Sequence, residues 1–284
     1  MRILVTGVNG QLGFDVCRAL DRLGIDNKGV DIRDFDLTEE RQVREFVAGY
    51  GPDTVVHCAA YTAVDKAESN RELCYAVNVT GTAHVAQSCQ ELGAKMVYIS
   101  TDYVFSGQGE TPFEVDSPKD PVNYYGLTKL QGEEEVLKRV SKHFIVRTSW
   151  VFGENGGNFV RTMLRIGAEK ESLKVVSDQI GSPTFTFDLA KLLCQMLPTE
   201  RYGVYHATNE GICSWYEFAA AIMEEAGLSC RVIPIPTSDY PSAAKRPMNS
   251  RLSKARLDAA GFDRLPDWRD ALKRYLAACF ARKA

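Results

Sequence analysis

The sequence lacks the features that mark several classes of protein. It contains no apolar run of about 18 residues, the length that indicates a membrane-spanning helix. It has no internal repeat, no low-complexity linker and no block of basic residues, and its formal net charge is −3. The first residues lead directly into a strand-like segment, without the apolar core and cleavage site of a signal peptide. We therefore expect neither a membrane nor a nucleic acid as a partner.

Cysteine pairs and metal-ligand patterns are also missing. The 8 cysteines form no Cys-x-x-Cys pair, and several fall in apolar helical or strand segments. The 4 histidines are far apart in sequence and form no His-x-x-x-His pattern. We therefore expect a cytoplasmic protein with free thiols and no metal site built from these residues.

The chain does contain a regular alternation of apolar strand segments and helical segments. Its 284 residues are 45% hydrophobic, which is enough for a large packed core. Continuous apolar strands separated by helices predict a Rossmann-type doubly wound parallel sheet, covered on both faces, for residues 1–153. In residues 154–284 the strands are shorter and prolines more frequent, which predicts a smaller C-terminal α/β substrate lobe. The boundary is approximate, and the prediction leaves open that part of this lobe packs on or pairs with the large sheet.

The first candidate site is the segment Ile3–Gly13, ILVTGVNGQLG, where an apolar strand leads into three glycines and a helix. Gly7 permits a tight turn, Gly10 lets the backbone approach a pyrophosphate, and Gly13 lets the helix pack closely on the strand. The helix N-terminus would then offer unpaired N–H groups to the anion. Because Asp31 follows the next candidate strand, the combination predicts dinucleotide binding.

Two residues after that second strand bear on the choice of cofactor. Asp31 would accept hydrogen bonds from the ribose 2′-hydroxyl of NADH and would repel the 2′-phosphate of NADPH. Arg33 is close enough in sequence to offset the repulsion and to pair with the phosphate. From this acid–base pair we predict that both cofactors are used.

Tyr125 and Lys129 form a Tyr-x-x-x-Lys pattern at the start of a predicted helix. The spacing places both side chains on one face, one turn apart. A nearby ammonium favours the phenolate, so we expect Lys129 to lower the pKa of Tyr125. Thr101 follows a buried strand, and its hydroxyl could bind the carbonyl oxygen of a substrate. These residues predict a site that donates a proton to a carbonyl group, whereas Tyr124 is expected to face elsewhere.

Two further predictions concern the limits of helices. Thr38 is predicted to cap a helix whose first turn is acidic, because its hydroxyl could accept from free backbone N–H groups. One continuous helix is predicted from about Asn70 to Leu92, where the helical pattern ends at a glycine.

Several motifs together resemble the extended short-chain dehydrogenase/reductase superfamily: GVNGQLG, AAYTAVDKAE, NVTGT, YISTDYVFSG and YGLTK. Three later segments are more specific, and through them the chain is similar to the dTDP-4-dehydrorhamnose reductase family over nearly its whole length. They are RTSWVFG (Arg147–Gly153), DQIGSPT (Asp178–Thr184) and RPMNSRL (Arg246–Leu252). The resemblance implies NAD(P)H-dependent reduction of the C4 ketone of dTDP-4-dehydro-β-L-rhamnose to dTDP-L-rhamnose, for polysaccharide biosynthesis.

The same resemblance implies roles for individual residues. Tyr125 would donate the proton, Lys129 would hold the nicotinamide ribose, and Thr101 would bind the substrate oxygen. The expected cofactor-binding residues are Gly7, Asn9, Gly10, Gln11, Leu12, Gly13, Asp31, Arg33, Asp36, Leu37, Ala59, Ala60, Tyr61, Tyr125 and Lys129. The expected substrate-binding residues are Thr101, Asp102, Trp150, Asn158, Arg246 and Asn249. Trp150 offers a flat face to a sugar ring, and Arg246 can pair bidentately with a diphosphate.

Two other functions stay open at this point. An epimerase of the same superfamily could use the same tyrosine and lysine, and it would retain its cofactor tightly. A regulatory subunit resembling the β subunit of methionine adenosyltransferase would bind a partner without turnover. A 4,6-dehydratase is disfavoured, because such enzymes carry a glutamate where this chain has Tyr103.

The sequence leaves other choices open as well. Asn78 resembles the superfamily asparagine that supports the active-site strand, but it could equally be a tolerated polar residue of a helix. The chain is expected to act as a monomer or homodimer, with NADPH or NADH as cofactor. A Mg²⁺ requirement finds no support in the sequence.

Overall fold

The predicted alternation of strands and helices is present in the computed structural model, which describes residues 1–281. In chain order the strands are β1 (Arg2–Thr6), β2 (Asp26–Val30), β3 (Thr54–His57), β4 (Lys95–Thr101), β5 (His143–Thr148), β6 (Val151–Phe152), β7 (Ser172–Val176), β8 (Ile180–Gly181), β9 (Thr184–Phe185), β10 (Gly203–His206), β11 (Asn209–Glu210), β12 (Cys213–Ser214), β13 (Arg231–Ile235) and β14 (Leu265–Asp267). The helices are α1 (Gln11–Arg22), α2 (Glu40–Tyr50), α3 (Val64–Ala67), α4 (Arg71–Tyr75), α5 (Thr82–Leu92), α6 (Tyr124–Arg139), α7 (Phe159–Glu169), α8 (Thr186–Met196), α9 (Trp215–Glu225), α10 (Ala255–Ala259) and α11 (Trp268–Ala281).

The large sheet has six strands in the order β10–β5–β4–β3–β1–β2, and every neighbouring pair is parallel. The winding direction reverses between β1 and β3, so the glycine turn after β1 lies at the switch point of the sheet. In folds of this kind ligands bind there, outside the carboxyl ends of the strands. This arrangement confirms the predicted Rossmann-type doubly wound sheet.

Helices cover both faces of the large sheet because its strands are apolar on both sides. In β1, Ile3 and Val5 pack in the layer that contains α1 and α8. Leu4, between them, packs on the opposite side with residues of α2, α5 and α6. The period of two along the strand therefore sends alternate side chains into two separate cores.

The smaller lobe has its own core, built mainly by β7, β13, α7, α9 and α11. Phe152, Phe218 and Tyr275 are buried at its centre. Between these elements the chain goes back to the large sheet: α8 packs on α1, and β10 pairs with β5. The sequence-based division into 1–153 and 154–284 allowed for such a return, and it stays a prediction.

The helix-cap prediction for Thr38 is wrong. Helix α2 begins at Glu40, and the residue before it, Glu39, makes no capping hydrogen bond with its side chain. The hydroxyl of Thr38 donates instead to the carboxylate of Asp36 at 2.8 Å, and the backbone N–H of Thr38 donates to the same carboxylate oxygen at 2.9 Å. A strong local acceptor two residues earlier thus occupies the group that was expected to cap the helix.

The helix predicted over 70–92 runs from Arg71 to Leu92, but its middle is π-helical. Helices α4 and α5 are separated by a π-helical turn over Ala76–Gly81, and α5 ends at Gly93, which has a left-handed backbone. The hydroxyl of Thr82 donates to the carbonyl oxygen of Asn78 at 2.8 Å. Turns of this kind often occur at functional sites, and this one carries both Asn78 and Val77 toward the carboxyl edge of the sheet.

Three features are absent from the part of the chain that the structure describes. None of its helices is both long and apolar enough to cross a membrane. None of its cysteines is in a disulfide, and all 8 are free thiols. Within residues 1–281, no group of three or more His, Cys, Asp or Glu side chains is placed to hold a metal ion.

Candidate active site

A cavity of about 680 Å³ lies at the carboxyl edge of the large sheet, beside the switch point. Many of the residues predicted for the cofactor and the substrate line it together. They are Gly7, Gly10, Gln11, Leu12, Gly13, Asp31, Asp36, Leu37, Ala59, Ala60, Thr101, Asp102, Tyr125, Lys129 and Trp150. The ends of β1, β2, β3, β4 and β5 and the start of α6 therefore contribute to one site.

The glycine turn is packed so closely that two of its glycines admit no side chain. Gly7 has a φ of +71°, and a Cβ on it would lie 2.8 Å from the backbone of Ala59. A Cβ on Gly13 would lie 2.3 Å from the carbonyl oxygen of Gly7. Helix α1 begins directly after Gly10, with no side-chain cap and no acidic residue in its first turn. Its free N–H groups form the kind of cradle that binds the phosphates of a dinucleotide.

At the end of β2, the carboxylate of Asp31 is held beside the glycine turn. It accepts hydrogen bonds from the backbone N–H of Asn9 at 3.1 Å and of Ile32 at 2.8 Å. Arg33 is exposed and does not line the cavity, and no ion pair of its side chain is found within residues 1–281. The carboxylate of Asp31 is thus held in place, whereas the side chain of Arg33 is exposed to solvent next to the cavity.

Helix α6 places Tyr125 and Lys129 in the cavity wall. Its first turn is capped by Asn123, whose side chain accepts from the N–H of Gly126 at 2.8 Å. Lys129 is buried, and its Nζ lies 4.0 Å from the centre of the Tyr98 ring. Burial lowers the pKa of Lys129 to about 7, and the Glu133 carboxylate acts in the opposite direction.

The expected decrease in the pKa of Tyr125 is not found. Burial raises the pKa of this phenol well above its usual value, and the charge of Asp102 adds to the increase. A hydrogen bond with Thr101 acts against both. The prediction considered only the ammonium of Lys129, but desolvation in this cavity is the larger effect. The phenol therefore keeps its proton at neutral pH.

Thr101 and Asp102 lie at the end of β4, close to that phenol. The hydroxyl of Thr101 donates to the carboxylate of Asp102 at 3.0 Å and accepts from the N–H of Tyr103 at 3.2 Å. Burial raises the pKa of Asp102 to about 6, although hydrogen bonds with Ser250 and Thr101 oppose the shift. The site thus holds a hydroxyl and a phenol that can donate hydrogen bonds to a carbonyl oxygen, beside a carboxylate that accepts them.

Trp150 has the most unusual backbone of the site. It is the one non-glycine residue with a positive φ, of 50°, in the described part of the chain. Its ring stacks on Trp215 with a centroid distance of 3.8 Å, and a Cβ on Gly181 would lie 2.8 Å from its edge. A left-handed conformation costs about 1–3 kcal/mol in a bulky residue. The stack on Trp215 holds the Trp150 ring in the cavity wall despite the strained backbone.

Three predicted site residues have their side chains engaged elsewhere and do not line the cavity. Asn158 caps α7 and donates to the side chain of Gln11 at 3.1 Å. Asn249 is buried and donates to the carbonyl oxygen of Thr111 at 2.8 Å. Arg246 forms an ion pair with Asp65 at 2.6 Å and also donates to the hydroxyl of Tyr103, which does line the cavity.

Asn9 and Tyr61 are also outside the cavity lining. The backbone of Tyr61 is bound by the side chain of Asn78, which indicates the role of that asparagine. The side chain of Asn78 accepts from the N–H of Tyr61 at 2.8 Å and donates to its carbonyl oxygen at 3.2 Å. It also donates to the hydroxyl of Thr128 in α6 at 3.0 Å. Asn78 therefore ties the loop after β3 to the helix that carries Tyr125, which favours the supporting role over a tolerated polar residue.

Sequence reasoning missed several residues of the lining. Ile32, Phe35 and Val77 all line the cavity. The first two follow the end of β2, a position that could have indicated them. Val77 lies in the π-helical turn, and no local signal predicted that turn.

The parallel sheet, the glycine turn at its switch point and the Tyr-x-x-x-Lys pair in the same cavity define an extended short-chain dehydrogenase/reductase. A family model described as the RmlD substrate binding domain matches residues 1–280. The chain belongs to this family, that of the dTDP-4-dehydrorhamnose reductases.

Individual relatives cover the whole chain. It is 43% identical over 275 residues to the spore coat polysaccharide biosynthesis protein SpsK of Bacillus subtilis (strain 168), covering 97% of this chain and 96% of that protein. It is 38% identical to the dTDP-4-dehydrorhamnose reductase of Escherichia coli (strain K12), covering 100% of both chains. A crystal structure of the dTDP-4-dehydrorhamnose reductase of Bacillus anthracis (strain Ames) in complex with NADP is 42% identical, with a TM-score of 0.95 and coverage of 98% and 99%.

Proposed function

We propose that this chain catalyses the NAD(P)H-dependent reduction of the C4 ketone of dTDP-4-dehydro-β-L-rhamnose to dTDP-L-rhamnose, a precursor of cell-surface polysaccharide. The observation that carries the proposal is the meeting of Thr101, Tyr125 and Lys129 with the glycine turn in one cavity. Membership of a family whose named relatives are dTDP-4-dehydrorhamnose reductases supports the choice of substrate.

The residues of the cavity fit a nicotinamide dinucleotide. The uncapped N-terminus of α1 and the close packing around Gly7 suit a pyrophosphate, and the carboxylate of Asp31 suits the adenosine ribose. Asp36 and Leu37 would flank the adenine, and Lys129 would hold the nicotinamide ribose. The cofactor supplies the hydride, so the protein must supply orientation and a proton.

Tyr125 is the proton donor in this proposal. Its raised pKa keeps the phenol protonated until negative charge develops on the substrate oxygen. The hydroxyl of Thr101 would share that oxygen, and the buried carboxyl of Asp102 would contact the sugar. Holding the ketone between these donors and the cofactor removes much of the entropic cost of bringing the reactants together.

The nucleotide part of the substrate would lie toward the smaller lobe. Trp150 presents an aromatic face in the cavity wall, and Arg246 lies directly behind Tyr103. Because a guanidinium pairs well with phosphate, Arg246 would exchange its ion pair with Asp65 for the diphosphate. We therefore propose that residues 154–284 supply most of the contacts to the nucleotide, and residues 1–153 those to the cofactor.

An assay with the purified chain tests the proposed function. NADPH and dTDP-4-dehydro-β-L-rhamnose are combined, and the loss of reduced-nicotinamide absorbance is compared with the amount of dTDP-L-rhamnose formed. We expect equal amounts of cofactor consumed and product formed. A regulatory subunit would show no turnover. An epimerase would interconvert sugars without net consumption and would purify with bound NAD(H).

Both reduced cofactors are expected to support turnover. Asp31 is fixed to receive a ribose hydroxyl, and the exposed Arg33 can meet a 2′-phosphate. The Michaelis constants for NADPH and NADH should differ by less than about 100-fold, which corresponds to ~2.7 kcal/mol. Arg33→Ala should raise the KM for NADPH alone, with Arg41→Ala, an exposed arginine in α2, as the control. A larger preference in the unmodified chain would contradict dual use.

Trp150→Ala is expected to weaken binding of the sugar nucleotide. Loss of the aromatic face should raise the KM for the sugar nucleotide by about tenfold or more, because burying an aromatic ring contributes about 1.5–3 kcal/mol. The KM for NADPH should stay within about twofold, since the ring is expected to face the sugar. Ile212→Ala, at an exposed apolar position of the same lobe, serves as the control. Equal changes in both constants would contradict a substrate contact.

The location and assembly proposed here are a cytoplasmic monomer or homodimer. The free thiols suit a reducing compartment, which is also where reduced nicotinamide is regenerated. Mg²⁺ is not part of the proposal, because no cluster of metal-ligating side chains is found within residues 1–281. Sedimentation would distinguish a monomer from a homodimer, and repeating it with EDTA would test whether the assembly needs a divalent cation.

A further inference from the structure

A buried ion pair lies behind the wall of the cavity. Glu133, one helical turn after Lys129 on α6, is 2% exposed, and so is Arg147 of β5. The carboxylate accepts from Nε of Arg147 at 2.8 Å and from Nη2 at 2.6 Å. The hydroxyl of Ser100 donates to the same carboxylate at 2.5 Å. The carboxylate therefore joins α6, β4 and β5.

This position lies directly behind the reacting groups. Ser100 is the residue before Thr101, so its bond to Glu133 fixes the end of β4 relative to the helix that carries Tyr125. Gly132 lets α6 approach the π-helical turn closely, because a Cβ on Gly132 would lie 2.7 Å from the carbonyl oxygen of Asn78.

Arg147 is held from its other side as well. Its Nη1 donates to the carbonyl oxygen of Val115 at 2.8 Å and lies 3.3 Å from Nε2 of His206. Burial and the charge of Arg147 lower the pKa of His206 to about 3, so this ring is neutral and can accept the hydrogen bond. The guanidinium cannot move away from Glu133 without losing these bonds.

Stability alone does not account for such a pair. Removing two charges from water costs several kcal/mol per ion, and apolar residues of similar volume often stabilise a fold equally well. We therefore expect a second role for the pair. The negative charge of Glu133 lies one helical turn from Lys129 and stabilises its ammonium form.

The groups around Lys129 leave Glu133 as its source of negative charge. Burial raises the pKa of Cys58 and of Cys74, so both thiols are neutral. His57, on β3, has its pKa lowered to about 3 and is neutral too. Tyr98 of β4 presents the face of its ring to the ammonium, and its hydroxyl donates to the backbone carbonyl oxygen of Lys129 at 3.3 Å. Burial raises the pKa of this phenol, so it carries no charge. Among the described groups that raise the pKa of Lys129, Glu133 has the largest effect.

We propose that Glu133 is a positioning residue for the reduction: its carboxylate, fixed by Arg147 and Ser100, favours the protonated form of Lys129 and holds α6 in place against the end of β4. This inference rests on the proposed function for its catalytic meaning. The state of Lys129 itself can be measured without any substrate.

Replacing the charge of Glu133 tests the inference. In Glu133→Gln we expect the alkaline limb of the kcat/KM profile to move to lower pH by about one unit, which corresponds to a loss of about tenfold near pH 8. Near pH 6, where Lys129 is mostly protonated in the unmodified chain and about half protonated in the variant, the rates should differ by less than about threefold. The exposed Glu134→Gln on the same helix is the matched control and should leave the profile unchanged.

A second variant guards against misfolding. Glu133→Gln leaves Arg147 without its partner, so the double variant Glu133→Gln/Arg147→Met removes both charges. The Lys129 ammonium then experiences neither attraction by Glu133 nor repulsion by Arg147. The alkaline limb of the double variant should therefore lie between those of Glu133→Gln and the unmodified chain. If the pair only stabilised the fold, the variants would have a lower Tm but the same pH profiles as the unmodified chain. That result would overturn the inference.

NMR of isotope-labelled lysine side chains separates this inference from the proposed function. The resonance of Lys129, assigned with Lys129→Met, should titrate about one unit lower in Glu133→Gln than in the unmodified chain. An unchanged midpoint refutes the inference, whatever the enzyme assay gives. A shifted midpoint in a chain that does not reduce the keto sugar would support the electrostatic role and refute the proposed function.

Discussion

Tyr125→Phe is expected to lose about 100- to 10,000-fold in kcat, because the variant keeps the ring and removes the proton donor. Burial and the charge of Asp102 raise the pKa of this hydroxyl, so it holds its proton until the substrate oxygen becomes negative. NADPH binding, followed by the fluorescence of the reduced nicotinamide, should change by less than about threefold, which is below 1 kcal/mol.

Tyr124→Phe is the matched control for that experiment. Tyr124 is the adjacent phenol, and its ring lies 4.8 Å from the guanidinium of Arg71, outside the cavity lining. The control should retain nearly full activity. If both phenylalanine variants turned over at the rate of the unmodified chain, the proton would come from another group, and Asp102, with its pKa raised to about 6, would be the next candidate.

Gly13→Ala is the second large effect that we expect, and it acts on the cofactor. The added Cβ would lie 2.3 Å from the carbonyl oxygen of Gly7, which accepts the turn hydrogen bond from Gly10 at 2.9 Å. The turn must therefore open, and its N–H groups move away from the pyrophosphate. Hydrogen bonds to a charged group contribute about 1.5–3 kcal/mol each, so the Kd for NADPH should rise by about 10- to 100-fold.

The same substitution at Gly49 provides the control. Gly49 lies in α2, and a Cβ there would have no atom within 4 Å. Gly49→Ala should leave NADPH binding unchanged and stabilise the fold by about 0.5–1 kcal/mol, whereas Gly13→Ala should destabilise it by about 1–3 kcal/mol. Thermal denaturation and fluorescence titration measure both quantities. Equal NADPH affinities in the two variants would contradict a phosphate cradle at this turn.

The raised pKa of the Tyr125 phenol changes how this tyrosine is expected to work. The sequence suggested a phenol made more acidic by an ammonium, whereas the structure shows a buried phenol with a raised pKa beside a lysine with a lowered one. Both shifts have the same cause, since burial disfavours whichever form is charged. In the proposed reaction, the proton is then transferred only when charge develops on the substrate oxygen.

Features that depend on local spacing could be predicted from the amino-acid sequence alone. The glycines of Ile3–Gly13 define a turn within one strand–helix unit, and the spacing of Tyr125 and Lys129 is fixed by one turn of helix. The alternation of apolar strands and helices determined the doubly wound sheet, because such strands must be covered on both faces.

Contacts between distant segments could not be predicted in this way, because they depend on how the elements pack together. The stack of Trp150 on Trp215 depends on where α9 packs, and so does the left-handed backbone that accompanies it. Arg246 and Asp65 are 181 residues apart, and nothing in either segment indicates the other. The pKa of a group depends on its burial and on the charges around it, and both are set only when the elements pack together.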